Sequence, residues 1–456
     1  MSKKTRIALA AISAGAITLT MAPQAFAALD DVDDAFIPRY VDPGLHRIAA
    51  NDRIGTAVEA SQTRDWGVET LITAGKNYWE CTTPNDFWGI AARGAYQGRE
   101  TTAAAGEQQA ISYQALNWNG SAYVWETRYF TCTSTVAQED VIRRDVHIIV
   151  ARSYDYSDAI AATPLADVLN APVLINPTAE LDPRVRNEIS RLAGTVQNGG
   201  EVRVHLLGGT NALSHDVENA IDALLPTNNQ TLRYQGIDRF QTAVTIAQVT
   251  LNWYGIDSGA RTRDANVYLT TGLNFPDALS AGAAAANNDG IVLLTAAEEL
   301  DRRGFTEEYL IALRTWINED GRHVNTNETI AVGGPSARAA EAYDIRLAKS
   351  YVGPTRYETA TLTARGEFDL INEDDGLATQ NYAVVSGLTY ADSLVASAYI
   401  ANADGPLLLT PPTYLYGATA DYLLEAVDSN DRVFTFGGNG AMNQSVHAEI
   451  EDLLNF

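Results

Sequence analysis

Three arginines recur in one setting. Arg53 lies in Asn51-Asp52-Arg53-Ile54-Gly55-Thr56-Ala57-Val58, Arg239 in Ile237-Asp238-Arg239-Phe240-Gln241-Thr242-Ala243-Val244, and Arg356 in Pro354-Thr355-Arg356-Tyr357-Glu358-Thr359-Ala360. A guanidinium fork matches phosphate or carboxylate through two parallel N–H bonds. Each arginine is followed along the chain by an acidic turn residue. Asp158 stands in Ser153-Tyr154-Asp155-Tyr156-Ser157-Asp158-Ala159, Asp277 in Gly272-Leu273-Asn274-Phe275-Pro276-Asp277-Ala278, and Asp392 in Gly387-Leu388-Thr389-Tyr390-Ala391-Asp392-Ser393. Each acid sits three residues after a capping type, Asp155, Asn274 or Thr389, which makes a near capping box. The dipole of the helix that follows favours an acid there. A salt bridge to the motif arginines would explain both partners at once. Against these structural readings stands a binding one, in which the arginine reaches an anionic ligand beside a helix N-terminus.

Two further features fit binding. Thr295 and Thr410 end the aliphatic runs Ile291–Thr295 and Leu407–Thr410. In open parallel sheets ligands bind beyond the carboxyl ends of the strands, where a hydroxyl can bond a sugar or phosphate. Strand capping explains the same threonines. The pairs Gly208-Gly209, Gly333-Gly334 and Gly437-Gly438 end another strand of each set. Such turns form amide nests for anions, or satisfy tight turn geometry alone. No catalytic set accompanies these residues. The six histidines, His46, His147, His205, His215, His323 and His447, make no H-E-x-x-H motif or close pair in sequence. No G-x-S-x-G marks a serine nucleophile and no G-x-G-x-x-G marks a dinucleotide site. Paired carboxylates of a glycosidase are unmarked among 57 acids. The reading is a non-enzyme without cofactor or metal.

The elements that must hold these residues alternate. In the second copy a helix follows Arg239, a strand covers about 265–271, and a small-residue helix covers 276–286. An aliphatic strand at 291–294, a helix near 303–317, a strand at 329–332 and a last helix from Ser336 follow. Continuous apolar strands separated by helices predict a parallel sheet with both faces covered. The unit of about 110 residues is used three times. The expected division is a leader at 1–27, an N-terminal segment at 28–44, and repeats at 45–229, 230–348 and 349–456.

Spacing exposes an insertion. Arg239 to Arg356 is 117 residues but Arg53 to Arg239 is 186, and the excess of 69 maps to about 73–141. This segment holds Cys81 and Cys132, the chain's two cysteines, and Trp79, Trp88, Trp118 and Trp125. Asn119-Gly120 between alternating apolar runs predicts a hairpin. We read the insert as a small disulfide-stapled β element. Its aromatics form either a mini-core or an exposed platform for a protein or glycan partner.

Lys3, Lys4 and Arg6, the apolar stretch 7–20 and Ala25-Phe26-Ala27 predict a cleaved secretory leader. Removing those three cations from a chain of net charge −25 leaves 29 basic residues against 57 acidic, or −28. Such a charge disfavours nucleic acid and anionic membrane, and no later segment predicts a membrane span. Beyond the leader only Lys76 and Lys349 are lysines.

The ordered set of motifs resembles the cell wall-binding repeat type 2 family of Gram-positive surface proteins. Its carriers are the (D/T)-R-x-x-T-A opening, the G-x-x-(F/Y)-x-D-(A/S)-(L/I) turn, the P-(I/L)-L-L-T strand and the closing G-G, from about Leu45 to the end. Repeat one departs most, with Asn176 for the threonine and Ser153 for the glycine. The resemblance implies an α/β fold of three tandem Rossmann-like units about a pseudo-threefold axis. It also implies non-covalent attachment to an anionic cell wall polymer at the surface, of the kind found in S-layer-associated proteins. Family members usually add a working domain; within this sequence only the insert is extra. Adhesion through that insert, or a wall-modifying hydrolase, are the alternative functions. The net charge conflicts with an anionic polymer unless the arginines form a local positive cleft or divalent cations bridge.

Overall fold

The computed structural model describes residues 42–84, 93, 96–226, 230–257, 266–315, 328–368 and 379–456. The predicted leader and Trp88 lie outside them. The architecture is mixed α/β, built on parallel sheets. Each repeat contributes the same series. An opening strand (Gly44–Ile48, Gln230–Tyr234, Lys349–Tyr351) leads to an opening helix (Arg53–Gln62, Arg239–Asp257, Arg356–Glu367). A central strand (Val141–Arg152, Val267–Thr271, Asn381–Ser386) leads to a turn helix (Thr163–Val168, Pro276–Asn287, Tyr390–Ala401). The aliphatic strand (Val173–Asn176, Ile291–Thr295, Leu407–Thr410) precedes a further helix, and a double-glycine strand (Val202–Leu207, Thr329–Val332, Arg432–Phe436) precedes the last one.

Within each sheet the central strand lies between the aliphatic and the double-glycine strands, all parallel. Apart from Arg432 and the ends of Val141–Arg152, where Val141, Ile142, Arg144 and Arg152 are half-buried, these strands are buried, as continuous apolar runs covered on both faces must be. A further parallel strand of each sheet comes from another repeat, and in the first sheet Val68–Ile72 also pairs, antiparallel, with Val141–Asp145. The opening strand of repeat two, Gln230–Tyr234, pairs with Val202–Leu207 of repeat one. Lys349–Tyr351 of repeat three pairs with Thr329–Val332 of repeat two. Gly44–Ile48, the opening strand of repeat one, pairs with Arg432–Phe436 of repeat three. Each sheet is thus completed by the next repeat, and the last by the first.

The three turn helices pack on one another. Small residues permit it. A β-carbon on Gly282 would meet Thr163 at 2.8 Å. The Thr163 and Ser397 hydroxyls bond at 2.9 Å, and Ser397 donates to the Leu279 carbonyl at 2.9 Å. The Ala-, Gly- and Ser-rich compositions of Pro276–Asn287 and Tyr390–Ala401 follow from this close approach.

The insert is a second, antiparallel sheet of four strands, ordered Glu100–Thr101, Asn77–Cys81, Tyr123–Val136, Gln108–Trp118. Cys81 and Cys132 are direct cross-strand partners and form the disulfide. Asn119 and Gly120 turn the hairpin, with Trp118 paired to Tyr123. The insert's aromatics divide. Trp79 is buried, and Tyr113 packs against Phe130 at 6.0 Å. At the hairpin tip Trp118 packs on Phe305 at 4.9 Å and Tyr123 on Tyr309 at 5.8 Å, both on a helix of repeat two. A buried ion network ties the insert to the first sheet. Arg93 pairs bidentately with Glu201, at 2.8 and 2.6 Å, Arg203 also pairs with Glu201, and Arg143 pairs with Asp145.

Candidate functional site

The residue before each motif arginine caps its helix. Asp52 accepts the Gly55 amide at 2.8 Å. Asp238 accepts from Phe240 and Gln241, each at 3.1 Å. Thr355 forms a full capping box with Glu358. The cap sets Arg53, Arg239 and Arg356 at the first helical position, at the positive end of the helix dipole. Each then folds back on its own turn. Arg53 Nη1 donates to the Ser153 carbonyl at 2.9 Å, Arg239 Nη1 to Gly272 at 2.6 Å, and Arg356 Nη1 to Gly387 at 2.5 Å. Among the described residues no carboxylate pairs with any of these three arginines, so most of their N–H groups stay available.

The motif aspartates lie at the neighbouring repeat's opening. Asp158 accepts the Thr242 hydroxyl at 3.1 Å. Thr242 is the threonine of the opening motif of repeat two, and its oxygen also accepts the Gly236 amide at 3.0 Å. Thr56 of repeat one stands in the same relation to Asp392 of repeat three, lowering its pKa against the larger effect of burial. The first glycine of each pair faces the aspartate. A β-carbon would approach Asp158 Oδ2 at 2.6 Å from Gly208 and Asp392 Oδ2 at 3.0 Å from Gly437, and would overlap Asp277 Oδ2 from Gly333. These glycines have φ of +92°, +100° and +95°. Their amides donate to the borrowed strand, at Tyr234, Ile48 and Tyr351. The near capping box is therefore not how these acids are used. The Pro276–Asn287 and Tyr390–Ala401 helices lack a side-chain cap from their N-cap residues Phe275 and Thr389, and the carboxylates of Asp277 and Asp392 lie against Gly333 and Gly437. Nor do the acids form the salt bridge to the arginines that the motifs suggested; they feel the arginine charge from outside bonding distance.

Burial raises the pKa of all three aspartates, that of Asp277 to about 6. The charge that opposes this comes in part from Arg239 at Asp158, from Arg356 at Asp277 and from Arg53 at Asp392. Each junction thus joins the turn of one repeat to the arginine of the next, and repeat three to repeat one. It also lies where the strand order reverses between the central and double-glycine strands. Open parallel sheets bind ligands in that crevice.

Thr295 and Thr410 are elsewhere. Both are buried; Thr295 donates to the Ala297 carbonyl at 3.1 Å and Thr410 to Tyr414 at 2.9 Å while accepting the Tyr416 amide. Asn176 closes the equivalent loop through Pro177, Glu180 and Asp182. The divergent residue does the same local work with three bonds, where Thr410 makes two and Thr295 one.

One set of residues was not singled out by sequence reasoning. The aromatic position of each turn, Tyr156, Phe275 and Tyr390, meets the other two. Ring centroids are 5.7 Å apart for Tyr156–Phe275, 5.8 Å for Tyr156–Tyr390 and 6.2 Å for Phe275–Tyr390. Tyr156 donates to the Leu273 carbonyl at 3.0 Å and Tyr390 to Ser153 at 2.5 Å. Arg53 lies over Tyr390 and Tyr154, and Arg239 over Tyr156. The recurrence of F/Y in the turn was the available signal; that the three copies share one place was not.

Comparison with known proteins follows the same lines. The model for cell wall binding domain 2 (CWB2) matches residues 126–218, 233–341 and 351–447. The chain is 24% identical over 263 residues to the N-acetylmuramoyl-L-alanine amidase LytC of Bacillus subtilis, covering 58% of this chain and 45% of that protein. It is 22% identical over 322 residues to the amidase enhancer of Bacillus subtilis, covering 71% of this chain and 38% of that one. The chain spans less than half the length of either relative. Among solved structures, Cwp6 from Clostridium difficile superposes with a TM-score of 0.58 at 17% identity, covering 97% of this chain and 50% of that chain. That likeness is one of fold.

Proposed function

The chain belongs to the cell wall binding domain 2 family, and from that membership we propose that it attaches non-covalently to an anionic polymer of the cell wall. Three tandem repeats in a pseudo-threefold ring of Rossmann-like units present Arg53, Arg239 and Arg356 to the polymer, with Asp158, Asp277 and Asp392 shaping the junctions. The role is binding rather than catalysis, at the cell surface after export. The observation that carries the reading is the three arginines without carboxylate partners in a chain of net charge −25. Other cations among the described residues are already paired; Arg93, Arg143, Arg144, Arg184, Arg191 and Arg203 all sit in ion pairs. Arginines held at helix N-termini without a bonded carboxylate favour phosphate or carboxylate. Partial protonation of Asp277 near pH 6 adds to the local positive potential beside Arg356.

Retention on intact walls and on walls stripped of anionic polymer tests this. Wild-type protein is expected on the first and not the second; equal retention on both rejects the proposal. The Arg239→Ala, Arg356→Ala double variant is expected to lose retention at least tenfold with an unchanged circular dichroism spectrum. Addition of a chelator separates the arginine cleft from cation bridging: retention persists if the arginines carry it.

A further inference from the structure

Resting on the wall-polymer reading, we propose that the meeting point of the three turns is one shared site, which holds a single anionic sugar segment per chain. The alternative is three separate sites, one per repeat. The geometry favours one. The aromatic triangle of Tyr156, Phe275 and Tyr390 brings all three turn tips together. The residue after each turn's first position projects outward from this cluster: Tyr154 is 71% exposed, Leu273 54% and Leu388 56%. Equivalent positions of three repeats thus place a large apolar side chain in water around one centre, which a purely structural turn does not require. Exposed apolar groups clustered in this way mark binding surfaces.

The arginines surround the same centre. Each is bonded to the carbonyl just before one of these exposed residues, at Ser153, Gly272 and Gly387. An apolar floor beside unpaired guanidinium groups matches a charged sugar, whose C–H faces pack on the floor while its phosphate or carboxylate meets the forks. The centre is not symmetric. Phe275 lacks the hydroxyl with which Tyr156 and Tyr390 tie neighbouring turns together. Tyr156 ties repeat one to repeat two and Tyr390 ties repeat three to repeat one, but Phe275 offers no such bond to the Gly387-Leu388 turn, which leaves the side between repeats two and three less tied.

The test uses the full chain and two short wall-glycan oligomers, one charged by phosphate and one by carboxylate, in calorimetric titrations. The proposal expects a stoichiometry of one for whichever oligomer binds, and that preference identifies the charged group. A stoichiometry of three overturns it. Substituting Tyr154→Ser, Leu273→Ser and Leu388→Ser together touches only exposed side chains. This triple variant is expected to keep its melting temperature and bind at least tenfold more weakly. Unchanged wall retention by the triple variant, together with loss in the arginine variant, overturns the shared site while leaving wall attachment standing. Loss of retention by neither variant removes both. A dimer in light scattering that the triple variant abolishes assigns the apolar centre to a second copy and also overturns the proposal.

Discussion

The carboxylate of Asp277 lies against Gly333, where even a methyl group would overlap its Oδ2. Gly333 also has φ +95° and ψ 148°, a region essentially restricted to glycine. Two costs therefore meet in Gly333→Ala: backbone strain of about 1–3 kcal/mol and overpacking of about 1–3 kcal/mol. In an Asp277→Ala background the overlap with the carboxylate is removed and only the tight contact with residue 277's β-carbon, at 3.2 Å, remains, so the second cost falls. Urea unfolding of the four proteins of the cycle checks this. An identical penalty in both backgrounds means the carboxylate is not what excludes the side chain.

Asp277 also predicts a pH dependence. Its folded-state pKa is raised by burial to about 6, above an ordinary aspartate. A raised carboxyl pKa favours the folded state at low pH, and that contribution is lost as pH rises through 6. Asp277→Asn should be more stable than wild type at pH 7.5, by about 2 kcal/mol, with no gain at pH 4. Melting temperatures across this range decide it; an equal difference at both ends removes the titration from the argument. Asp431, also raised to about 6 by burial, keeps part of the slope in the variant.

These contacts were half legible in the sequence. The glycine pairs have a local cause, positive φ, and tight turn geometry is one of their two readings. The capping by Asp52, Asp238 and Thr355 is just as local, yet the sequence reading places the capping types in the turns instead. The parallel strands were readable from continuous apolar runs such as Val267–Thr271. What was not legible arises between repeats. Nothing in the turn Asn274–Asp277 says that its acid serves Gly333, more than fifty residues on, or that Phe275 meets Tyr156 and Tyr390. Nor does a three-residue strand such as Lys349–Tyr351 announce that it pairs backward. Trp118 reads as an insert residue, yet it packs on Phe305 of another repeat.

The buried histidines act in the opposite direction to Asp277. His147 Nδ1 and His205 Nε2 are 2.9 Å apart, and His205 Nδ1 is 2.8 Å from the Tyr234 hydroxyl. Burial holds both pKa values well below 6.5, with Arg203 adding to the effect. A depressed histidine pKa contributes stability above the unfolded value of 6.5, and that stability is lost as pH falls below it. The His147→Leu, His205→Leu variant should lose this acid-side slope. Proton uptake on unfolding at pH 5.5, measured by calorimetry in two buffers, should fall in the variant; unchanged uptake assigns the slope to other groups.

The borrowed strands predict selective loss. A chain beginning at residue 51 lacks Gly44–Ile48, the partner of Arg432–Phe436. Amides of Gly44–Ile48 aside, hydrogen exchange should accelerate at Gly437, whose N–H donates to Ile48 at 3.0 Å, and along the exposed edge of the third sheet. Val204 and Ile330, in the other two double-glycine strands, should keep their protection. Uniform loss over all three sheets would mean that the repeats unfold as one unit.

The pairing of Gly44–Ile48 with Arg432–Phe436 also fixes the order in which the molecule can be completed. Arg47 meets Gly437 across 390 positions of sequence, a loop that closes late because its entropy must be overcome before the contact rewards it. Gly44–Ile48, the earliest of the described strands in chain order, is therefore the last of them to find its partner. Among the described residues, no stretch that stops short of Arg432–Phe436 holds the third sheet complete, so that sheet closes only when repeat three is present.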